Sequence, residues 1–140
     1  MVLKKFENSS GVVFCTVSYD EANACVIDTW EGMFGSQDNF KKVLNYVVGV
    51  IEEKKATKWL ANLNRMNGSF DGSKDWIVSD IMPKVLKAGL LFQAIVLPAN
   101  IFSKLSTRDA AAKIQNFELK QFDDIDKAKN WLLAAKAIAA

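Results

Sequence analysis

The feature that most constrains this chain is the way its hydrophobic period switches along its length. Residues 12–19 (VVFCTVSY) and 24–31 (ACVIDTWE) are dense in β-branched and aromatic side chains. The polar Asp20-Glu21-Ala22-Asn23 between them reads as a hairpin connection, and Gly32 and Gly35 punctuate its end. From Ser36 the period becomes helical. Phe40, Val43, Leu44, Val47, Val48 and Ile51 recur at spacings of three, four and seven and make one broad apolar face. Ser36 is placed to cap that helix, Asp38 suits its first turn, and Lys54 and Lys55 suit its end.

The alternation continues. Lys58 to Leu63 is a short apolar run of buried-strand type, followed by a polar loop from Asn64 to Gly72. A second helix is predicted from near Ser73 to Lys87, terminated by Gly89 and kinked or split by Pro83. Leu90 to Leu97 reads as another buried strand, stopped by Pro98. Asn100 is placed to cap a short helical turn, and Ser106 or Thr107 a further helix through Ile114. Phe117 to Phe122 alternates like an edge strand, and Asp123 and Asp124 open a last helix with Ile125, Ala128, Trp131 and Leu132 on one face. The order strand, strand, helix, strand, helix, strand, helix, strand, helix predicts an α/β fold. Its sheet is mostly parallel and entered through an antiparallel hairpin. At 140 residues, half of them apolar, the whole chain (1–140) is expected to form a single domain.

The sequence contains no histidine. That removes the commonest general base and metal ligand, and with it any Ser-His-Asp, Cys-His or imidazole-zinc chemistry. Phosphate-loop and dinucleotide-binding glycine patterns are absent, so no cofactor is predicted. The net charge is only +2. The basic pairs Lys4-Lys5, Lys41-Lys42 and Lys54-Lys55 are scattered, which fits a solvated surface better than a nucleic-acid site. No long apolar run follows Met1, and no stretch approaches a membrane span, so a cytoplasmic protein is expected. The hairpin sets Cys15 opposite Asp28 and Cys25 opposite Ser18, on opposite faces. The two thiols are therefore expected to be reduced and buried.

Three constellations are candidates for function. The carboxylates Asp28, Glu31, Asp71, Asp75 and Asp80 have nothing in the sequence that converges them, and no catalytic residue is assigned. The loop before the second helix places Ser69 and Ser73 where an anion or phosphate suits a helix start, although Ser73 or Asp71 serves equally as an N-cap. Trp30, Phe34, Phe70 and Trp76 fall at strand ends, loops or a helix start, where α/β sheets form ligand clefts; they would serve equally as a hydrophobic lip. Trp59 and Trp131 are explained by core packing. Tyr46 and Val50, beside the main helical stripe, or the Ala-rich tail 134–140 offer a homodimer surface.

Thr29-Trp30-Glu31-Gly32 followed by Trp59-Leu60-Ala61-Asn62-Leu63 resembles the SpoIIAA-like family, related to the STAS domain. Met82-Pro83-Lys84, Lys87-Ala88-Gly89, Ala94-Ile95-Val96-Leu97-Pro98, Phe122-Asp123, Ala128 and Trp131-Leu132 extend the resemblance over roughly residues 10–133. It implies a mixed four- to five-stranded sheet with about four helices packed mainly on one face, and no catalytic centre. STAS domains act by protein contact switched by phosphorylation at a helix start, a role that only Ser69 or Ser73 matches here. The family's Asp-Ser-Ser-Gly-like motif is missing. The expectation is a non-enzymatic, regulatory protein-interaction module whose surface around residues 64–76 meets a protein partner. The group is also similar to the CRAL-TRIO lipid-transfer fold. That implies an alternative: a lipid-like apolar molecule held between sheet and helices in a cleft of roughly 300 Å³ or more.

Overall fold

A computed structural model describes residues 1–68, 70–98, 113–114 and 117–135. Six strands of five to nine residues form a mixed sheet: β1 (Val2–Glu7), β2 (Val13–Asp20), β3 (Cys25–Gly32), β4 (Lys58–Met66), β5 (Phe92–Val96) and β7 (Phe117–Phe122). A two-residue β6 (Lys113–Ile114) is added at one edge, and the order is β1-β2-β3-β4-β5-β7-β6. β1, β2 and β3 pair antiparallel, β3, β4, β5 and β7 pair parallel, and β6 runs antiparallel to β7. The α/β class and the N-terminal hairpin are as predicted. The sheet is larger than four or five strands because β1 and β6 were not expected, and Lys113 and Ile114 are strand rather than the end of a helix. The helical turns expected at Asn100 and at Ser106 or Thr107 lie outside the described residues, as do residues 136–140 of the tail.

α1 (Gln37–Lys54) matches its sequence reading closely. The Ser36 hydroxyl accepts from the Asn39 N–H at 3.2 Å, and Lys55 closes the helix in the left-handed region at φ 56°. Its apolar stripe is fully buried. The second helical segment consists of α2 (Lys74–Trp76), a π-helical turn (Ile77–Ile81) and α3 (Met82–Lys87). Pro83 has no N–H to give and would crowd the carbonyl four residues earlier, so the wider π turn before it divides the segment in two. α4 (Ile125–Ala134) follows β7.

The helices lie on both faces of the sheet. α1 and the 74–87 segment cover one face, over a core that includes Val26, Trp30, Phe40, Val47, Trp59 and Val85. α4 covers the other, over Leu60, Phe92, Ala94, Val96 and Phe122. The alternation of β4, with Trp59 and Ala61 on one side and Leu60 on the other, makes both cores from one strand. Tyr46 is not left open for a second copy. The unexpected β1 brings Phe6 onto it, ring edge to ring face at 5.7 Å, and Val50 is buried.

The hairpin register differs from the expected one by two residues: Cys15 faces Trp30 and Cys25 faces Asp20. The connection is a 3₁₀ turn (Glu21–Asn23) with Ala24 left-handed, which moves its tip one residue along. A shift of two leaves each side chain on its expected face. Cys15 and Cys25 are accordingly buried, unbonded thiols in the two different cores. Ser36→Ala should lower stability by about 1 kcal/mol, while Ser36→Asp should keep it within a few tenths, as read from urea midpoints.

Candidate functional site

β3 carries Val26, Asp28 and Trp30 on the face that α1 covers, and the period of two places a carboxylate between two apolar side chains. Asp28 is 1% exposed. Its two oxygens accept from two indoles: Trp30 Nε1, on the same strand, at 2.5 Å, and Trp59 Nε1, on β4, at 2.5 Å. No lysine or arginine among the described residues is paired with it. Burial raises its pKa, the two indole N–H groups and its own backbone N–H lower it, and the balance leaves it at about 6 against 3.8. Desolvation therefore outweighs two charge-assisted hydrogen bonds, by roughly 3 kcal/mol between the protonation states.

Above Asp28 lies an apolar cleft of about 90 Å³. Trp30, Phe40, Trp59 and Phe70 supply its aromatic lining, and Ile77 and Met82, which flank the π turn's two ends, its helical side. Half-buried Phe70, Ile77, Met82, Ile95 and Leu119 frame it outwardly. Gln93 of β5 is the second polar group of the lining. It is 5% exposed, and its Oε1 has no hydrogen-bond partner. The arrangement thus offers two hydrogen-bond acceptors on an otherwise greasy floor.

Of the residues singled out from the sequence, Trp30, Phe34 and Phe70 are brought together by α1. Phe40 lies 5.2 Å from the Trp30 ring centre, 5.6 Å from Phe34 and 5.1 Å from Phe70, the last as a parallel stack. Trp30 and Phe70 line the cleft, while Phe34 lies behind them, with Gly68 against its ring: a Cβ there would come within 3.3 Å. Trp76 is not part of the lining; its ring lies under the Lys41 ammonium at 5.4 Å. Ser73 is fully buried, and its hydroxyl donates to Gln37 Oε1 at 2.5 Å, so an anion meets no exposed Ser73 hydroxyl in this conformation. Ser69 lies outside the described residues.

Three participants were not assigned to the site from sequence. The sequence offers Asp28 only as one of several unconverged carboxylates and Trp59 only as core, and it gives no sign of Gln93. For Asp28 the signal was present, since alternation with Val26 and Trp30 puts it on the inward register. A wider depression of about 340 Å³ opens at the C-terminal ends of β3 and β4, between Glu31, Asn64, Arg65, Asp123 and Asp124. Its lining mixes polar side chains with Trp30 and Ile125, and Glu31, Asn64 and Arg65 stand exposed. Among the described residues no group of three or more Cys, Asp or Glu side chains is placed to hold a metal ion. The thiols are not activated: burial pushes Cys25 up to about 12, and burial with the Asp28 charge pushes Cys15 higher still. No helix among the described residues is long and apolar enough to cross a membrane. Against known proteins, no family model, curated protein or solved structure matches the chain.

Two outcomes follow from the carboxylate. The folded state holds the Asp28 proton more tightly than the unfolded state, so its contribution to stability is largest at low pH and falls as pH rises from about 4 to 6. Urea unfolding should show the wild type losing about 3 kcal/mol across that window relative to Asp28→Asn. Trp59→Phe removes one donor to the charged form, and carbon NMR of the Asp28 carboxyl should find its pKa above the wild-type value; an unchanged or lower value would contradict this electrostatic account.

Proposed function

We propose that this chain is a non-enzymatic binding module of the SpoIIAA-like, STAS-related type. Its ligand is a small, mainly apolar molecule held in the Asp28 cleft between the sheet and the 74–87 segment. The observation that carries this reading is the pairing of an aromatic lining with two fixed acceptors, Asp28 and the unpartnered Gln93 Oε1. Ligand sites commonly combine apolar walls with a few placed polar groups. The π turn beside the cleft adds support, since such turns occur frequently at functional sites.

Size narrows the alternative drawn from the CRAL-TRIO resemblance. The cleft, at about 90 Å³, falls well short of the roughly 300 Å³ expected for a lipid-like molecule. A dry cavity of about 150 Å³ accommodates benzene, so this one suits a headgroup or short branched chain of a few heavy atoms rather than a fatty-acid tail.

The protein-interaction reading keeps one favourable observation. Val78 is 70% exposed on the outer side of the π turn, two residues from the half-buried Trp76. In that reading Trp76→Ala abolishes capture of a specific partner from the native cell extract. The cleft reading is tested by native mass spectrometry of the gently purified full chain. A small-molecule adduct should accompany the wild type and be lost from Ala61→Leu, which fills the cleft from β4 beside Asp28. Equal occupancy of both proteins by the same adduct would place the ligand elsewhere.

A further inference from the structure

The cleft's lining carries two polar side chains, Asp28 and Gln93, and each has acceptor capacity left open. Asp28 brings a buried carboxylate that accepts from two indoles and its own backbone N–H. Each carboxylate oxygen can accept more than one hydrogen bond, so capacity remains after both indoles are satisfied. Gln93 adds a carbonyl oxygen with no donor at all. One register step further along the same face, Gln121 of β7 has a second buried amide oxygen without a partner. A buried acceptor left unmet costs about 1–3 kcal/mol, so the open Gln93 Oε1 favours a ligand that brings a donor.

The walls are suited to the complementary ligand. A cation gains from aromatic faces as well as from a carboxylate, and the gain increases when the site excludes water. The chain's own lysines make such contacts elsewhere, at its surface: Lys4 with Phe6 and Tyr46, Lys41 with Trp76, and Lys54 with Tyr19. None of the ring contacts recorded among the described residues puts a lysine over Trp30, Trp59, Phe40 or Phe70. A neutral alcohol would satisfy Gln93 but leave the carboxylate charge unopposed. An anion would be repelled by Asp28.

We infer that the Asp28 cleft binds a small alkylammonium group, with its N–H donors directed at Asp28 and Gln93 Oε1 and its alkyl part packed among Trp30, Trp59, Phe40 and Phe70. This rests on the small-ligand reading of the cleft and specifies its chemistry. Primary and secondary amines fit the acceptor set, and the cavity of about 90 Å³ limits the bound part to a short or compact alkyl group.

The test uses three small probes of nearly equal size on the full ¹⁵N-labelled chain at pH 7.5 and fixed ionic strength: ethylammonium, ethanol and acetate. The indole Nε1–H signals of Trp30 and Trp59 report the cleft directly. The ammonium should shift both signals saturably with at least a tenfold lower Kd than ethanol, and acetate should give no saturable shift. Asp28→Asn should reduce that preference to within about threefold. Gln93→Leu, which keeps the carboxylate, should weaken ammonium binding by threefold or more, and it serves if Asp28→Asn does not fold. Equal binding of ethanol and ethylammonium would overturn the cation assignment while leaving a small-ligand cleft. No saturable shift from any probe, as with a site that holds water only, would overturn both.

Discussion

The carboxylate of Asp28, gripped by one indole from its own strand and one from the next, is the contact on which the rest of the domain is arranged. It ties β3 to β4 above the backbone ladder and fixes the orientation of two tryptophans at once. It also sets the level of the floor on which α1 packs. Trp30 so oriented meets Phe40, Phe40 stacks on Phe70, and Phe70 leads into the 74–87 segment. Two short hydrogen bonds do not fully offset the burial of the charge, so the carboxyl stays near a pKa of 6. A carboxylate held at such a cost in the interior is a common mark of a site rather than of a scaffold.

The two faces of the sheet divide the labour. The face under α4 is packed with small and aliphatic residues, Ala94 and Ala128 among them, with Phe92 and Phe122 against Trp131, and it keeps an open hollow of about 220 Å³ beside Cys25, Leu60 and Leu132. The face under α1 carries larger rings and a segment that changes helical type part-way. Large rigid rings leave gaps where backbone elements cannot follow their outlines, and the cleft lies where Phe40, Trp59 and the π turn meet.

Most of this architecture was readable in the residues. α1 announced itself because one face of an 18-residue helix is apolar and both ends carry their capping chemistry. The hairpin and the parallel strands followed from β-branched runs between turns. β1 is hard to read because Val2, Leu3 and Phe6 do not alternate cleanly and four of its six residues are exposed. The site was harder to see. Asp28 was recoverable from its place between Val26 and Trp30. Gln93 was not, since β5 is buried on both faces and a strand without alternation gives no sign of which side a polar residue enters. Ser73 drew notice as a helix start, yet the 3₁₀ turn at Asp71–Ser73 folds its hydroxyl inward onto Gln37.

The π turn also bears on how this chain tolerates length change. An α-helix advances about 100° per residue, and a π turn carries one residue more than an α turn over the same stretch. Deleting one residue between Ile77 and Ile81 would therefore let the segment close as continuous α-helix with the residues before and after it still in phase. Closing the turn to α-helix without a deletion would instead rotate everything before it by roughly 100°, carrying Ile77 away from the cleft while α3 and Pro83 kept their seats on the core. The cleft's outer wall thus depends on the turn keeping its surplus residue, and the loss of one residue there would disturb the flanking phase less than the same loss from a regular helix.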